Sequence, residues 1–335
     1  MTATRITLLA TEFRQMVKGL NGDHSFPALE QVLSRGRACP VKSATANHLR
    51  SDFFGLESDK ALPVAALTHV SDRKKTLKDD YYWLRCDPVT MRADMTKVFM
   101  TGHGIADLDP DERNEIENCV RAVLMEEELD LHTDHPERWC IALKEPLLFE
   151  FTPLDNALGR DVADTLPTHS EARSWRRILN EIQVALHNCP INIQRRQSGK
   201  QEINSVWFWG GGFIPRATSN GLFDTVYSNH PVTRGLAIIN DSRLKKQSKA
   251  SLGNLRRDER SVLVDWVTAS QYAEEGLEEL EALVKPLLKP AGSGEISFTL
   301  FDGSGEGWLY DRSARLRFWR RKAQLGVALA SGARA

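Results

Sequence analysis

The sequence predicts an α/β protein: a mixed, mainly parallel sheet flanked by helices, with an irregular N-terminal part. Three observations carry that expectation. First, residues 261–267 read as a strand and residues 268–288 as a helix with Leu277, Leu280, Leu283, Val284 and Leu287 on one side, and residues 296–301 read as the next strand. Such a βαβ unit favours a right-handed crossover and parallel strands. Second, residues 205–209 and 236–240 are continuous apolar runs, as expected of strands buried on both faces. Third, residues 174–187 place Trp175, Ile178, Leu179, Ile182 and Leu186 at helical spacing, which makes an amphipathic helix laid on a core.

The remaining elements follow in chain order. Residues 5–9 form a β-type run, and the stretch from there to about residue 59 is polar and loop-rich. The composition turns apolar over residues 61–70, and residues 81–85 are strand-like up to the turn-forming Cys86-Asp87-Pro88. Asp109-Pro110-Asp111-Glu112 starts a helix that runs to about residue 128: Asp109 can accept from free amides, Pro110 suits the first turn, and the acids suit the positive dipole end. Residues 139–143 and 147–151 read as strands around a Pro146 turn, and Pro190 stops the helix that precedes it. At the end, Asp302-Gly303-Ser304-Gly305 is a turn before residues 308–310, and residues 315–319 alternate as a last strand with one basic face. No internal repeat or low-complexity linker interrupts the chain, so residues 1–335 are expected to form a single domain, with residues 1–152 and 153–335 as its subdivision.

Composition limits the partners. Of 335 residues 41% are hydrophobic, enough for a substantial core. Lys and Arg number 44 against 45 Asp and Glu, so no global field attracts nucleic acid or an acidic membrane. Cys39, Cys86, Cys119, Cys140 and Cys189 show no C-x-x-C spacing, which fits scattered reduced thiols. The first ten residues lack a basic segment followed by a long apolar one, and no stretch approaches about 18 consecutive apolar residues. The expected location is therefore the cytoplasm, with no membrane partner.

Chemical information concentrates between His187 and Gly212. Asn192 and Arg195, three apart, can project together, and a guanidinium fork matches the oxygens of a phosphate or carboxylate. Gly210, Gly211 and Gly212 follow a buried strand directly, and their amides are candidates for an anion-binding nest. Asn204 would bond a sugar-like hydroxyl or brace that loop. The bland reading makes the glycines a tight turn, Trp207 and Trp209 core residues, and Arg195 a solvated helix-end charge. His132-Thr133-Asp134-His135 and Asp79-Asp80 contain metal-ligating residue types, but a solvated turn after a helix accounts for the former as well. No G-x-S-x-G, H-E-x-x-H or G-x-x-x-x-G-K-[ST] motif is present.

The order His187-x-x-Pro190-x-Asn192-x-x-Arg195, a Gly199 turn, then Asn204-x-x-Trp207-x-Trp209-Gly210-x-Gly212 resembles archaeal-type cofactor-independent phosphoglycerate mutases of the alkaline-phosphatase superfamily. Taken with P-V-A-A-L-T-H up to His69, C-D-P-V-T-M-R-A-D from Cys86 and Arg317-Phe318-Trp319-Arg320-Arg321, the chain resembles the RpfE-type bacterial regulatory proteins, which are phosphoglycerate-mutase-like. The resemblance implies an anion or substrate site built from His187, Asn192, Arg195, Asn204, Trp209 and Gly210 to Gly212.

An active member of the superfamily is expected to hold two divalent metals through Asp and His and to carry a phosphorylated Ser or Thr. Here the first strand leads into Ala10-Thr11-Glu12 rather than Asp-Gly, the second position reads Val264-Asp265-Trp266 without a histidine, and the third reads Asp302-Gly303. Asp265 and Asp302 remain as the weak metal candidates, and no histidine follows His230. The expectation is a catalytically degenerate regulatory protein with no cofactor, binding a phosphorylated metabolite or a protein partner. The alternatives are an active phosphoglycerate mutase or phosphatase using Mn or Mg, and a nucleic-acid-binding regulator using the basic C-terminal run, although nucleic acid is not the expected partner.

Overall fold

The computed structural model describes residues 3–21, 24–41, 45–56, 61–75, 80–103, 108–217, 222–247, 259–320, 324–326 and 329. Two compact units emerge, Met1–Ala61 with Arg216–Ala335, and Leu62–Pro215. In chain order the described strands are β1 (Thr4–Ala10), β2 (Arg37–Ala38), β3 (Tyr82–Asp94), β4 (Lys97–His103), β5 (Asp130–His135), β6 (Arg138–Leu143), β7 (Ser205–Gly212), β8 (Thr225–Ser228), β9 (Arg243–Lys245), β10 (Ser261–Trp266), β11 (Ile296–Phe301) and β12 (Gly307–Tyr310).

The first unit is the expected α/β sheet, in the order β2-β12-β11-β1-β10-β8-β9. β1 pairs in parallel with β10 on one side and β11 on the other, β8 and β9 continue the parallel run, and β12 and β2 close the far edge antiparallel. The βαβ unit is therefore real, but its two strands flank β1 instead of touching each other. β1 is central because Ile6, Leu8, Leu9 and Ala10 are apolar and bury both faces. The crossover helix Ala273–Ser293 buries Leu277, Leu280, Val284 and Leu287 against Ile6, Val264 and Phe298, each such side chain contributing about 1.5–3 kcal/mol.

The second unit is built on β3, whose 13 residues pair antiparallel with β4, β6 and β7 in turn. Alternation divides its faces. Leu84 and Ile141 meet the helices Pro110–Glu126 and Ala172–Asn188 through Ile116, Val120, Leu124, Ile178 and Ile182. Trp83 and Cys140 face the other way, onto Ala65 and Ala66 of the helix Val64–Arg73.

Several elements differ from the sequence reading, each for a local reason. The stretch read as loop-rich contains the helices Phe13–Lys18, Pro27–Arg35 and Ala46–Phe53. Pro27 opens the second of these at its first turn, and Ala28, Leu29, Val32 and Leu33 form its buried stripe. The run at 236–240 belongs to the helix Pro231–Ile239, since a five-residue apolar run has no period of its own to separate strand from buried helix. β3 does not stop at Cys86-Asp87-Pro88 but runs through it, with Pro88 opposite Val206. Residues 147–151 are bends without strand pairing, Pro190 opens the helix Pro190–Gln197, and the expected last strand is a 3₁₀ helix over Arg312–Arg317. Arg321 and Lys322, which extended that basic run, lie outside the described residues, as do Asp79 and Gly104.

Gly210, Gly211 and Gly212 are part of β7, not a turn beyond it. Their lack of side chains is a packing requirement: a Cβ on Gly212 would stand 2.4 Å from Pro63 Cβ, and Gly210 has φ +64° with Val64 Cβ 3.0 Å from where its own Cβ would be. Gly212→Ala is expected to lower the unfolding free energy by about 1–3 kcal/mol, read as a lower urea midpoint at unchanged slope.

Candidate functional site

The parallel strands of the first unit end together. Leu9 stands opposite both Asp265 on β10 and Phe301 on β11, which puts Asp265 and the next residue after β11, Asp302, on either side of the end of β1. Carboxyl ends of parallel strands are where open α/β sheets bind ligands. Both side chains are fully buried there, with residue exposures of 0% for Asp265 and 1% for Asp302.

A buried carboxylate is costly without a cation, and each of these has an arginine. Arg50, from the helix Ala46–Phe53, grips Asp265 with a fork: Nε donates to Oδ2 at 2.9 Å and Nη2 to Oδ1 at 3.2 Å. Nε also donates to Thr233 Oγ1 at 3.1 Å, Nη1 donates to Asn47 Oδ1 at 3.1 Å, and the Thr233 hydroxyl donates to Asp265 Oδ2. Arg14, from the helix Phe13–Lys18, donates Nε to Asp302 Oδ2 and Nη2 to Glu306. The rest of Asp302 is taken by its own turn: Oδ1 accepts from the amides of Ser304 and Glu306, and Oδ2 accepts from the Ser304 hydroxyl at 2.8 Å. Gly303, with φ +79°, lets that turn lie against Thr11, whose Cα would be 2.9 Å from an added Cβ.

Burial pushes the Asp265 carboxyl up, but Arg50, His230 and the hydrogen bonds from Arg50 and Thr233 outweigh it and hold the group below its ordinary range. Asp265 is thus an ionised carboxylate whose lone pairs are directed at a guanidinium. A pair of divalent cations does not fit this donor set. Each carboxylate is paired with a guanidinium, β1 ends in Ala10, and the described residues at these strand ends form no group of three His, Cys, Asp or Glu able to share an ion. Sequence reasoning named the two acids and missed both arginines, which come from the polar N-terminal stretch where no motif marks them.

The residues expected to hold an anion are all in the second unit, and they serve its backbone. Arg195 is 1% exposed; Nη1 donates to Glu112 at 2.8 Å and Nε to the Gln201 carbonyl at 2.8 Å. Asn192 donates to the carbonyls of Leu186 and Ile203 and accepts from the Ile203 amide, tying helix end to strand. Asn204 pairs with both backbone groups of Met91. Trp209 Nε1 donates to Asp87 Oδ2 at 2.7 Å, and Arg85, also bonded to Asp87, lies 5.4 Å from its ring. His187 is exposed, and its carbonyl accepts from Arg196. The glycines lie inside β7, and the side chains of Asn192, Arg195, Asn204 and Trp209 brace the unit around it.

The run from His132 to His135 is not a surface turn but the second half of β5. The fold brings His132 and Asp134 of that strand next to His69 of the helix Val64–Arg73, with one ligand atom of each within 4.8 Å of the others. The sequence hint for His69 was a lone histidine on an apolar helix, which by itself reads as core.

The first unit defines a class, an α/β protein with acid positions at the carboxyl ends of a mostly parallel sheet. Comparison with known proteins narrows it. No family model matches the chain. The 2,3-bisphosphoglycerate-independent phosphoglycerate mutase of Methanosarcina mazei is 26% identical over 207 residues, 58% of this chain and 50% of the relative. That of Methanosarcina barkeri is 27% identical over 144 residues, 42% of this chain and 35% of the relative. The chain thus spans half or less of the length of these curated relatives. Among solved structures it resembles the PH0037 protein of Pyrococcus horikoshii, with TM-score 0.57, 12% identity and coverage of 94% and 93% of the two chains. It also resembles the cofactor-independent phosphoglycerate mutase of Thermoplasma acidophilum, with TM-score 0.51, 13% identity and coverage of 98% and 95%. The fold is therefore phosphoglycerate-mutase-like, and no described helix is long and apolar enough to cross a membrane.

Arg50→Ala leaves Asp265 buried and unpaired, and is expected to cost about 3–5 kcal/mol of stability at neutral pH. Because the folded-state pKa of Asp265 is depressed, its contribution is present above the unfolded carboxylate value and is lost as pH falls through the folded one. Urea titrations across the acid range should show the gap between wild type and variant narrowing as pH drops.

Proposed function

We propose that this chain is a phosphoglycerate-mutase-like regulatory protein that has given up catalysis and works by binding, its ligand being a phosphorylated metabolite or a partner protein. The observation that carries the reading is the occupation of both strand-end carboxylates by guanidinium groups. An arginine supplies one delocalised charge and no open coordination position, so it neutralises a buried acid without activating water or polarising a phosphoryl oxygen. The phosphorylated-ligand class comes from the likeness to phosphoglycerate mutases, not from Arg195, which is engaged with Glu112 and Gln201. The RpfE-type regulatory assignment and a bacterial source belong to the same proposal, as does the reading that no divalent cation serves the strand ends.

An active phosphoglycerate mutase or phosphatase is the second reading, favoured by the names of the relatives with which the chain aligns. An assay supplemented with Mn²⁺ or Mg²⁺, using 3-phosphoglycerate and a generic phosphate monoester, separates the two. The expected result is no turnover above background with either ion. Turnover that a chelator abolishes, and that Asp265→Asn and Asp302→Asn abolish as well, rejects the binding-protein reading.

A further inference from the structure

The second unit carries a set of side chains that its own bracing does not absorb. His69 is 2% exposed, yet its Nε2 has no hydrogen-bond partner, and the nearest acid to Nδ1, Asp134 Oδ2, is 3.6 Å away, an ion-pair distance. A buried imidazole left this way is an exception in a protein interior and calls for an explanation. Two neighbours complete the group. His132 and Asp134, two apart on β5, project beside His69, and all three offer a ligand atom within 4.8 Å of one another.

We infer that His69, His132 and Asp134 form a binding site for a divalent first-row transition ion of the zinc class, with an open coordination position facing the adjoining cleft. Two imidazoles and one carboxylate are the donor set such ions take, whereas Mg²⁺ and Ca²⁺ prefer oxygen alone. Metal–nitrogen bonds of about 2.0–2.1 Å bring tetrahedral ligand atoms to about 3.4 Å apart, so from a spread of up to 4.8 Å the site needs a closure of at most about 1.4 Å. The movable partners are suited to that, since the side chains of His132 and Asp134 are 22% and 34% exposed. His69 is the fixed one: Trp83 lies against its ring with centroids 3.9 Å apart and planes tilted by 30°, and His132 meets both rings edge-on at 5.2 and 5.0 Å.

The surroundings favour ligation over protonation. Burial first, then His132 and Arg73, push the His69 imidazole down to about 3, and burial also lowers His132 against the pull of Asp130 and Asp134. Asp130 lies 3.3 Å from His132 Nε2, the outer carboxylate that a ligating imidazole commonly has; a proton shared there leaves the lone pair on Nδ1. Arg73, 3.9 Å from Asp134, is partly exposed and shares that carboxylate only loosely. The cleft beside the group has a volume of about 680 Å³ and is lined by His69 and His132 together with Arg73, Lys144 and the acids Glu127, Glu128, Asp130 and Glu145, so water can reach the fourth position.

The test uses the full chain, stripped with chelator and dialysed, and titrated with Zn²⁺ by calorimetry and with Co²⁺ by visible absorption. His132→Ala and Asp134→Asn change partly exposed groups and are checked for folding by circular dichroism; His132→Asn replaces the first should it fail to fold. The expected result is saturable Zn²⁺ binding and intense four-coordinate Co²⁺ bands in the wild type, with a rise in melting temperature on adding Zn²⁺, all lost in the folded variants. A wild type that neither binds Zn²⁺ saturably nor gains melting temperature overturns the proposal, as do variants that bind and shift like the wild type. These readouts do not depend on turnover, so they stand apart from the outcome of the mutase assay.

Discussion

The first unit depends on two buried ion pairs, Arg50 with Asp265 and Arg14 with Asp302. Parallel strands that terminate side by side collect the residues that follow them, and here two carboxylates are collected where exposure is nearly zero. An isolated ionised carboxylate in such a place is unstable, so the fold requires cations at those two points. A divalent ion and a guanidinium both meet the electrostatic requirement, but they leave different chemistry behind. The ion keeps exchangeable positions for water or substrate oxygens; the guanidinium is tethered, and Arg50 spends its remaining donors on Thr233 and Asn47. The two kinds of cation therefore give a strand end different chemical capacities on the same scaffold.

The second unit answers a similar requirement differently. Its buried polar groups are matched mainly to backbone: Asn192 to Leu186 and Ile203, Asn204 to Met91, Arg195 to Gln201 as well as Glu112. Arg85, Asp87 and Trp209 form one small buried network across β3 and β7, and burial still raises the Asp87 carboxyl even with Arg85 beside it. Groups engaged on every side hold β7 in register on β3.

Much of the scaffold was legible because long-period patterns report burial directly. The helix at Ala172–Asn188 and the β10–helix–β11 crossover each show apolar spacing over many residues, and Asp109-Pro110 marks a helix start with its own chemistry. Short apolar runs carry no such period, which is why residues 236–240 read as a strand although they belong to a helix. The site was legible only in half. A motif gives residue types in order, and Asn192 with Arg195 has the right types for an anion; which partner each one meets is decided across 83 residues of chain in the case of Glu112 and Arg195. Asp265 and Arg50 are separated by 215 residues, beyond the reach of any spacing rule.

The same contrast ranks the polar clusters of the two units. At the strand ends hydrogen bonds account for both oxygens of Asp265 and of Asp302, so those centres are closed in the arrangement observed. Around His69 the sum does not close. A tryptophan lying against its ring fixes an imidazole with an orphaned nitrogen, and a strand presents a second imidazole and a carboxylate to it across a gap slightly too wide for hydrogen bonds. Polar groups that are buried, held and unsatisfied are where an interior still has binding free energy to offer, and among the described residues His69 beside β5 meets that condition.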